Sequence, residues 1–353
     1  MDILKRFINV HVPLTNCTLR CHYCYVTINQ TFGKPIPKLS KSAEFIRKAL
    51  NVKRLGGCCH LNFCADGETL LLPELIEVIK QLLIEGHYVS IVSNCTLKKR
   101  IDELIALPTE LRKHLFVKAS YHYLELKRLN ILDVFFDNTS KLHNAGISIT
   151  IEITPNDELI PEIEDAVALC YKRMGAAPHF TIARDQHYSH LPILTAMTRN
   201  EYRQVWGKYK SVMFEFKEKI FGRPIKKFCY GGEWFLCLNL MTGNLSQCHG
   251  TKPIQNIYEN IDAPINYKAI GICPKAHCYN GHALLTQGVV PGVKSPTYAE
   301  TRDRVMPDGR HWLYPEILSF FSQRLYDNNK VHSWYKRVFL RIKDKWHYIK
   351  SHF

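Results

Sequence analysis

The chain has no apolar run as long as the roughly 18 residues that a membrane-spanning helix needs. It also shows no hydrophobic signal segment, because MDILKRF leads straight into a strand-like pattern. The expected compartment is therefore the cytoplasm. Internal repeats and low-complexity stretches are missing, which sets aside solenoids and disordered linkers. Carboxylates are the scarcer charge: 32 Asp and Glu stand against 47 Lys and Arg, for a net charge of +15. An excess of that size points to an anionic partner, whether a lipid surface, a nucleic acid or a phosphorylated substrate. Hydrophobic residues make up 46% of the 353, which is ample for a core of one large domain or two. The 13 cysteines, in a reducing compartment, read as metal ligands, catalytic thiols or buried apolar residues rather than as disulfides.

Three of these cysteines, Cys17, Cys21 and Cys24, form a C-x3-C-x2-C triplet in CTLRCHYC. A random chain of this composition would contain about 0.02 such triplets, so chance is a poor explanation. Three thiolates can hold three corners of a four-iron cluster and leave the fourth iron open to a small molecule. Zinc is the alternative, although zinc sites usually pair C-x2-C units or mix Cys with His.

Strand and helix patterns alternate through the first two-thirds of the chain. Strands are expected at 7–12, 60–64, 89–93, 115–120, 147–153 and 179–183, with helical patterns at 42–55, 72–86, 97–107, 134–146 and 159–175. Gly86, Gly146 and Gly175 fall at helix ends, and Ser42 and Pro73 at helix starts. Such alternation is the mark of a parallel α/β fold, either an open barrel or a doubly wound sheet, and both gather active groups at the C-terminal strand ends. A helix is expected over 199–222. The segment 332–353, HSWYKRVFLRIKDKWHYIKSHF, interleaves basic and aromatic residues. As an amphipathic helix it suits an anionic membrane surface or, alternatively, docks on the body with its basic face in water.

The run CTLRCHYCY, with Tyr23 before the third cysteine, resembles the signature of radical S-adenosylmethionine (SAM) enzymes. The segment CADGETLL at 64–71, after the second strand, is similar to the family's GGEPLL motif, which binds the amino group of SAM. Gly67 and Glu68 match it, while Asp66 and Thr69 replace a Gly and the Pro. SNCT at 93–96 resembles the family's S/T-N-G element, with Cys95 in place of Gly. The resemblance implies a partial (β/α)6 barrel, a SAM-binding [4Fe–4S] cluster on Cys17, Cys21 and Cys24, and SAM in contact with Tyr23, Asp66, Gly67, Glu68, Ser93, Asn94, Ser120 and Glu152. The simpler reading of the CADGETLL turn is an ordinary βα turn with a surface Glu, and of Ser93, Asn94, Ser120 and Glu152 a polar strand end with no ligand.

Downstream, Cys229, Gly243 and Cys248 follow C-x13-G-x4-C. This looks like the start of the SPASM auxiliary-cluster region. Only Cys273 and Cys278 come after, as in the shortened "twitch" variant. The resemblance implies one auxiliary [4Fe–4S] cluster on Cys229, Cys248, Cys273 and Cys278, with a four-cysteine zinc ribbon as alternative and Cys237 as a possible replacement ligand. The expected division is 1–195 for the barrel, 196–228 for a helical linker, 229–300 for the auxiliary region and 301–353 for a basic aromatic helical tail.

Cys64, Cys95 and Cys237 lie near the expected active face, where a thiol can donate a hydrogen atom to a carbon radical; the plain alternative is a small buried apolar residue. Cys170, in a helix pattern, is expected to be buried. Tyr121, His122, Arg184 and Asp185, with His187, Tyr188 and His190, are candidate substrate contacts. The resemblance implies reductive cleavage of SAM to a 5′-deoxyadenosyl radical, fed by a reductase such as flavodoxin or ferredoxin. Hydrogen abstraction from a substrate then leads to oxidation or epimerisation. Enzymes with this auxiliary region often modify ribosomal peptides and carry a leader-binding domain before the barrel. Few residues precede the first strand here, so a small molecule or saccharide is expected over a peptide, and no nucleic acid. The competing class is a non-enzymatic iron–sulfur or zinc protein in electron transfer or nucleic-acid binding, which would have no use for a SAM-binding turn.

Overall fold

The computed structural model describes residues 2–340. Its centre is a sheet of nine strands: β1 Arg6–Val12, β2 Cys59–Ala65, β3 Tyr88–Ser93, β4 Leu115–Tyr121, β5 Ser148–Ile153, β6 His179–Phe180, β7 Phe235–Asn239, β8 Asn244–Ser246 and β9 Pro253–Asn256. Their order is β6-β5-β4-β3-β2-β1-β7-β8-β9, so the sheet is open, with β6 and β9 at its edges. Neighbours from β6 to β7 run parallel, and the β7–β8–β9 meander is antiparallel. The expected partial α/β barrel is present. The last expected strand, 179–183, shortens to two residues. The first strand of the cysteine-rich region joins β1 and continues the barrel sheet.

Helices α1 Ala43–Ala49, α2 Leu75–Ile84, α3 Lys98–Ile105, α4 Leu132–Asn144 and α5 Ile163–Met174 connect the strands. Ser42 caps α1 by accepting from the Phe45 amide, and Gly175 ends α5 in the left-handed region that its missing side chain allows. The single helix expected over 199–222 is two, α6 Arg199–Gly207 and α7 Val212–Ile220. Lys210 turns to φ +48° between them, and the Ser211 hydroxyl accepts from the Phe214 amide to start α7. A serine able to cap offers the backbone an alternative to continuing the helix.

Side chains alternate across each strand. Val10, Leu61, Phe63, Val117, Ile149 and Ile151 point outward and are buried in the main core. On the inner face, Phe7, His60, Tyr88 and Phe116, at the N-terminal strand ends, join a second core with Tyr298, Phe320 and Phe321. Tyr88 stacks on Phe320 with centroids 3.7 Å apart. The helix α8, Pro315–Phe321, supplies Phe320 and Phe321 and closes that end of the barrel. The segment expected as a tail therefore divides. Residues up to Leu325 plug the barrel, residues 334–340 are helical with Trp334, Tyr335 and Phe339 exposed, and 341–353, where the expected basic helix continues, lie outside the described residues. Among the described residues, no helix is long and apolar enough to cross a membrane.

Candidate active site

The loop after β1 carries Cys17, Cys21 and Cys24. The Cys24 amide donates to the Cys21 carbonyl at 3.1 Å, which turns the chain between the last two thiols. Burial pushes the Cys17 thiol up to about 11, and the charge of Cys24 adds to it. Cys21 is raised by burial and then by both Cys17 and Cys24. The three thiols thus act on one another, and a bound metal would offset their mutual repulsion as thiolates.

The CADGETLL turn is fastened to this loop. The Gly67 amide donates to the Leu14 carbonyl at 2.6 Å and the Glu68 amide to Asn16 at 2.8 Å. A Cβ on Gly67 would lie 2.1 Å from the Asn16 carbonyl oxygen, so only glycine allows the two backbones to meet. The Glu68 carboxylate is buried and accepts from Leu70 N (3.0 Å), Ser93 Oγ (2.8 Å) and Asn94 N (2.7 Å). Burial raises its pKa against the pull of these bonds. Asn94 Nδ2 in turn reaches Thr18 Oγ1 at 2.9 Å and Cys17 Sγ at 3.7 Å. Glu68, Ser93 and Asn94 form one network that ends at the cysteine loop.

Asp66 is the more open acid of the turn. Its oxygens accept from the Tyr25 hydroxyl at 2.8 Å and pair with His11 Nε2 at 3.1 Å. Burial would raise its pKa, but the His11 bond and charge, with the Tyr25 bond, hold it below the usual carboxylate range. His11 and Tyr25 carry no sequence signal beyond an alternating position in β1 and a residue following a cysteine. A cavity of about 430 Å³ opens here. His11, Asp66, Cys237, Asn239, Cys248 and His249 line it, with His11 and Asn239 paired in register on the adjacent strands β1 and β7.

Cys229, Cys248, Cys273 and Cys278 line one further cavity with His249 and His277. Backbone pairing of Cys229 with Gly271 ties its two ends together, at 2.7 and 3.0 Å. Gly243 makes the tight turn between β7 and β8 at φ +76°, where a Cβ would strike the Tyr258 ring at 2.3 Å. Burial pushes Cys229 up to about 12 and Cys248 up to about 11, and the cysteine charges add to both. Both ring nitrogens of the buried His277 lack a hydrogen-bond partner. Among the described residues, no three His, Cys, Asp or Glu side chains converge as ligands of a single metal ion would. A cubane does not need such convergence, because its thiolates bind separate irons.

Residues 12–170 match the family model of the Radical SAM superfamily. The chain carries a radical SAM domain. No curated protein matches the chain in sequence. Among solved structures, Streptococcus suis SuiB bound to S-adenosylmethionine is 14% identical, with 74% of this chain and 67% of that one covered, at a TM-score of 0.50. SuiB bound to the precursor peptide SuiA is 13% identical, with 76% and 66% covered, at a TM-score of 0.51. The match thus spans about two thirds of the SuiB chain, and at this identity the likeness is one of fold. The cofactors of a radical SAM domain are a [4Fe–4S] cluster and SAM. The mutually coupled thiols, the glycine cradle and the acceptors at the strand ends fit both.

The other expected site residues divide according to which strand face they occupy. Ser120 and Glu152 sit on the lumen face of the radical SAM barrel, opposite each other in register. Glu152 is ion-paired with Arg302, a partner with no sequence motif. Arg184 Nη1 donates to the Tyr279 carbonyl at 3.0 Å and lies near Tyr25 and Cys64. Tyr121 is a correction. It follows Ser120, so alternation turns it outward, where it is fully buried, stacks on Phe135 and donates to the Ala166 carbonyl at 3.3 Å. Cys95 is a second correction. Its positive φ of 55° swings it away from the lumen into the outer core, and burial pushes its thiol up to about 12. Tyr23 donates to or accepts from His122 Nδ1 at 2.6 Å beside a cavity of about 310 Å³, and burial pushes His122 down to about 4, so its ring is neutral near pH 7. Asp185 is spent on His187, accepting from its amide at 2.9 Å and pairing with its ring at 2.7 Å; Tyr188 and His190 are exposed.

Proposed function

We propose that the protein is a radical SAM enzyme that takes a hydrogen atom from a small-molecule or saccharide substrate held in the 430 Å³ cavity, for oxidation or epimerisation. Cys17, Cys21 and Cys24 hold the SAM-binding cluster, and Cys229, Cys248, Cys273 and Cys278 hold one auxiliary [4Fe–4S] cluster. The observation that carries this reading is the shared cavity wall. His11 and Asp66, beside the SAM-binding turn, line it together with Cys237, Cys248 and His249, beside the second cysteine set.

When bound, the cluster and SAM supply a 5′-deoxyadenosyl radical. The Asp66–Gly67 turn offers its carboxylate and backbone carbonyls to the SAM ammonium, while Glu68 holds Ser93 and Asn94 in place around it. Tyr23, Ser120 and Glu152 complete the contacts at the cluster loop and at the ends of β4 and β5. The Tyr25 and His11 bonds keep Asp66 ionised and fixed. Cys237 lies on the lumen face of β7, and burial followed by the charge of Cys248 keeps its thiol protonated. It is the candidate hydrogen-atom donor for epimerisation. Its Sγ–H bond breaks as a substrate C–H bond forms, and an electron from a flavodoxin- or ferredoxin-type reductase with a proton restores it. Arg184 orients substrate on the same lumen. The exposed Trp334, Tyr335 and Phe339 support a peripheral contact with an anionic membrane surface.

A peptide is the second reading for the substrate, since SuiB, alike in fold, is bound to a precursor peptide. Anaerobically reconstituted protein, given SAM and dithionite, should form 5′-deoxyadenosine and contain about eight irons per chain. Absence of the nucleoside with either class of substrate present contradicts the radical reading.

A further inference from the structure

Between the open strand ends and the aromatic plug lies a group of charges that neither cysteine set uses. Arg302 is fully buried. Its Nη1 is bonded to Glu152 and lies 3.1 Å from Met213 Sδ, its guanidinium carbon lies 4.8 Å from the Tyr298 ring centroid, and its Nε and Nη2 make no hydrogen bond. Lys217 of α7 is buried as well and donates to Thr181 Oγ1 at 2.6 Å. Lys118 stands on the lumen face of β4, two residues before Ser120, the register partner of Glu152. Of the charged groups acting on Lys217, three are cations, Arg184, Arg302 and Lys118, and one, Glu152, is an anion. The same four cations act on His282, whose buried Nδ1 is also without a partner. Three cations, Arg302, Lys118 and Lys217, thus act on one carboxylate in a lumen where Glu152 is still 14% exposed on its side chain.

Burying cations without counter-charge is costly, and a fold normally avoids it. A ligand that brings the missing negative charge removes that cost. We propose that this group is a subsite for an oxyanion of the substrate, a carboxylate or a phosphate group, so that the enzyme's substrate is anionic. The subsite rests on the radical SAM reading; its residues do not line the 430 Å³ cavity, so it takes a part of the substrate that reaches beyond that cavity along the inner faces of β4 and β5. Nε and Nη2 of Arg302 form the side-on fork of a guanidinium, which matches two oxygens of a carboxylate or phosphate. The Glu152 bond fixes the plane of that fork. Lys217 and Lys118 add charge from α7 and β4.

The test is calorimetric titration of the reconstituted protein, saturated with SAM so that SAM's own carboxylate is already in place. Sulfate stands in for a phosphoryl group and acetate for a carboxylate. One of the two should bind the wild type, and which one does names the source. Lys217→Met should weaken that binding by about tenfold. Lys118→Met, at a less buried position, serves if Lys217→Met fails to fold. Binding of neither anion, or equal affinity in the wild type and the lysine variants, overturns the subsite. Loss of the radical reading would show separately, as a wild type that binds the anion but never cleaves SAM.

Discussion

The two faces of the barrel strands make opposite use of one backbone. Outward, Val117, Ile149 and Ile151 are buried among apolar helices. Inward, the same strands carry Lys118, Thr150 and Glu152, with Asn9 and Asn62 on β1 and β2. Asn62 Nδ2 donates to Asn9 Oδ1 at 2.8 Å, yet Asn62 Oδ1 and Thr150 Oγ1 lack partners. The outer face is chosen for packing density, whereas the inner face holds polar and charged groups that the folded chain alone does not satisfy. Packing therefore claims the outer face and the N-terminal ends of the inner face, and the polar and charged groups lie on the inner face toward the C-terminal strand ends.

Substitutions can break that division. The largest effect should come from Gly67→Ala, because the new Cβ meets backbone rather than a flexible side chain. Displacing the cysteine loop should cut SAM cleavage by about a hundredfold or more, read as 5′-deoxyadenosine formed per minute; near-normal turnover would separate the turn from SAM binding. On the outer face, Ile151→Ala should cost about 2–5 kcal/mol in denaturant unfolding of the cluster-free protein. On the inner face, Lys217→Met should do the reverse and stabilise the cluster-free protein by about 1–4 kcal/mol. The sign follows from titration. Burial first, then neighbouring cations, push Lys217 down to about 7, well below the roughly 10.4 of an unfolded lysine. The unfolded chain therefore binds more protons between those values, and wild-type stability rises with pH there. The gain from methionine should be greatest below pH 7 and fade as the pH rises toward 10. Destabilisation at pH 6 would mean that Lys217 is satisfied within the fold. The smallest effect belongs to Tyr121→Phe, which should lose about 1 kcal/mol with its bond to Ala166 and leave SAM cleavage unchanged; a fall in turnover would return Tyr121 to the lumen.

The same contrast explains what could be read from the chain. Strand alternation and helix caps are local, so the parallel core was legible, as were the cysteine triplet and the CADGETLL turn, whose chemistry lies in consecutive residues. The assignment of Tyr121 failed by one step in a period of two, since Ser120 and Tyr121 face opposite sides. The break between α6 and α7 was hidden because Ser211 reads equally as a helix residue and as a cap. Arg302, Lys217 and His282 have no motif at all, because they meet only through folding, from segments far apart in sequence. One trace of them was visible. Glu152 is a lone carboxylate in an apolar strand, and such a group, if buried, requires a partner.

The central claim is that the Cys17, Cys21 and Cys24 loop holds the cluster that meets SAM, while the second cysteine set holds another. Electron paramagnetic resonance of the dithionite-reduced protein tests this most directly, with Cys229, Cys248, Cys273 and Cys278 all replaced by alanine. A remaining cluster signal that shifts on addition of SAM is the predicted result. A signal that ignores SAM, or that vanishes with these four cysteines, would contradict it.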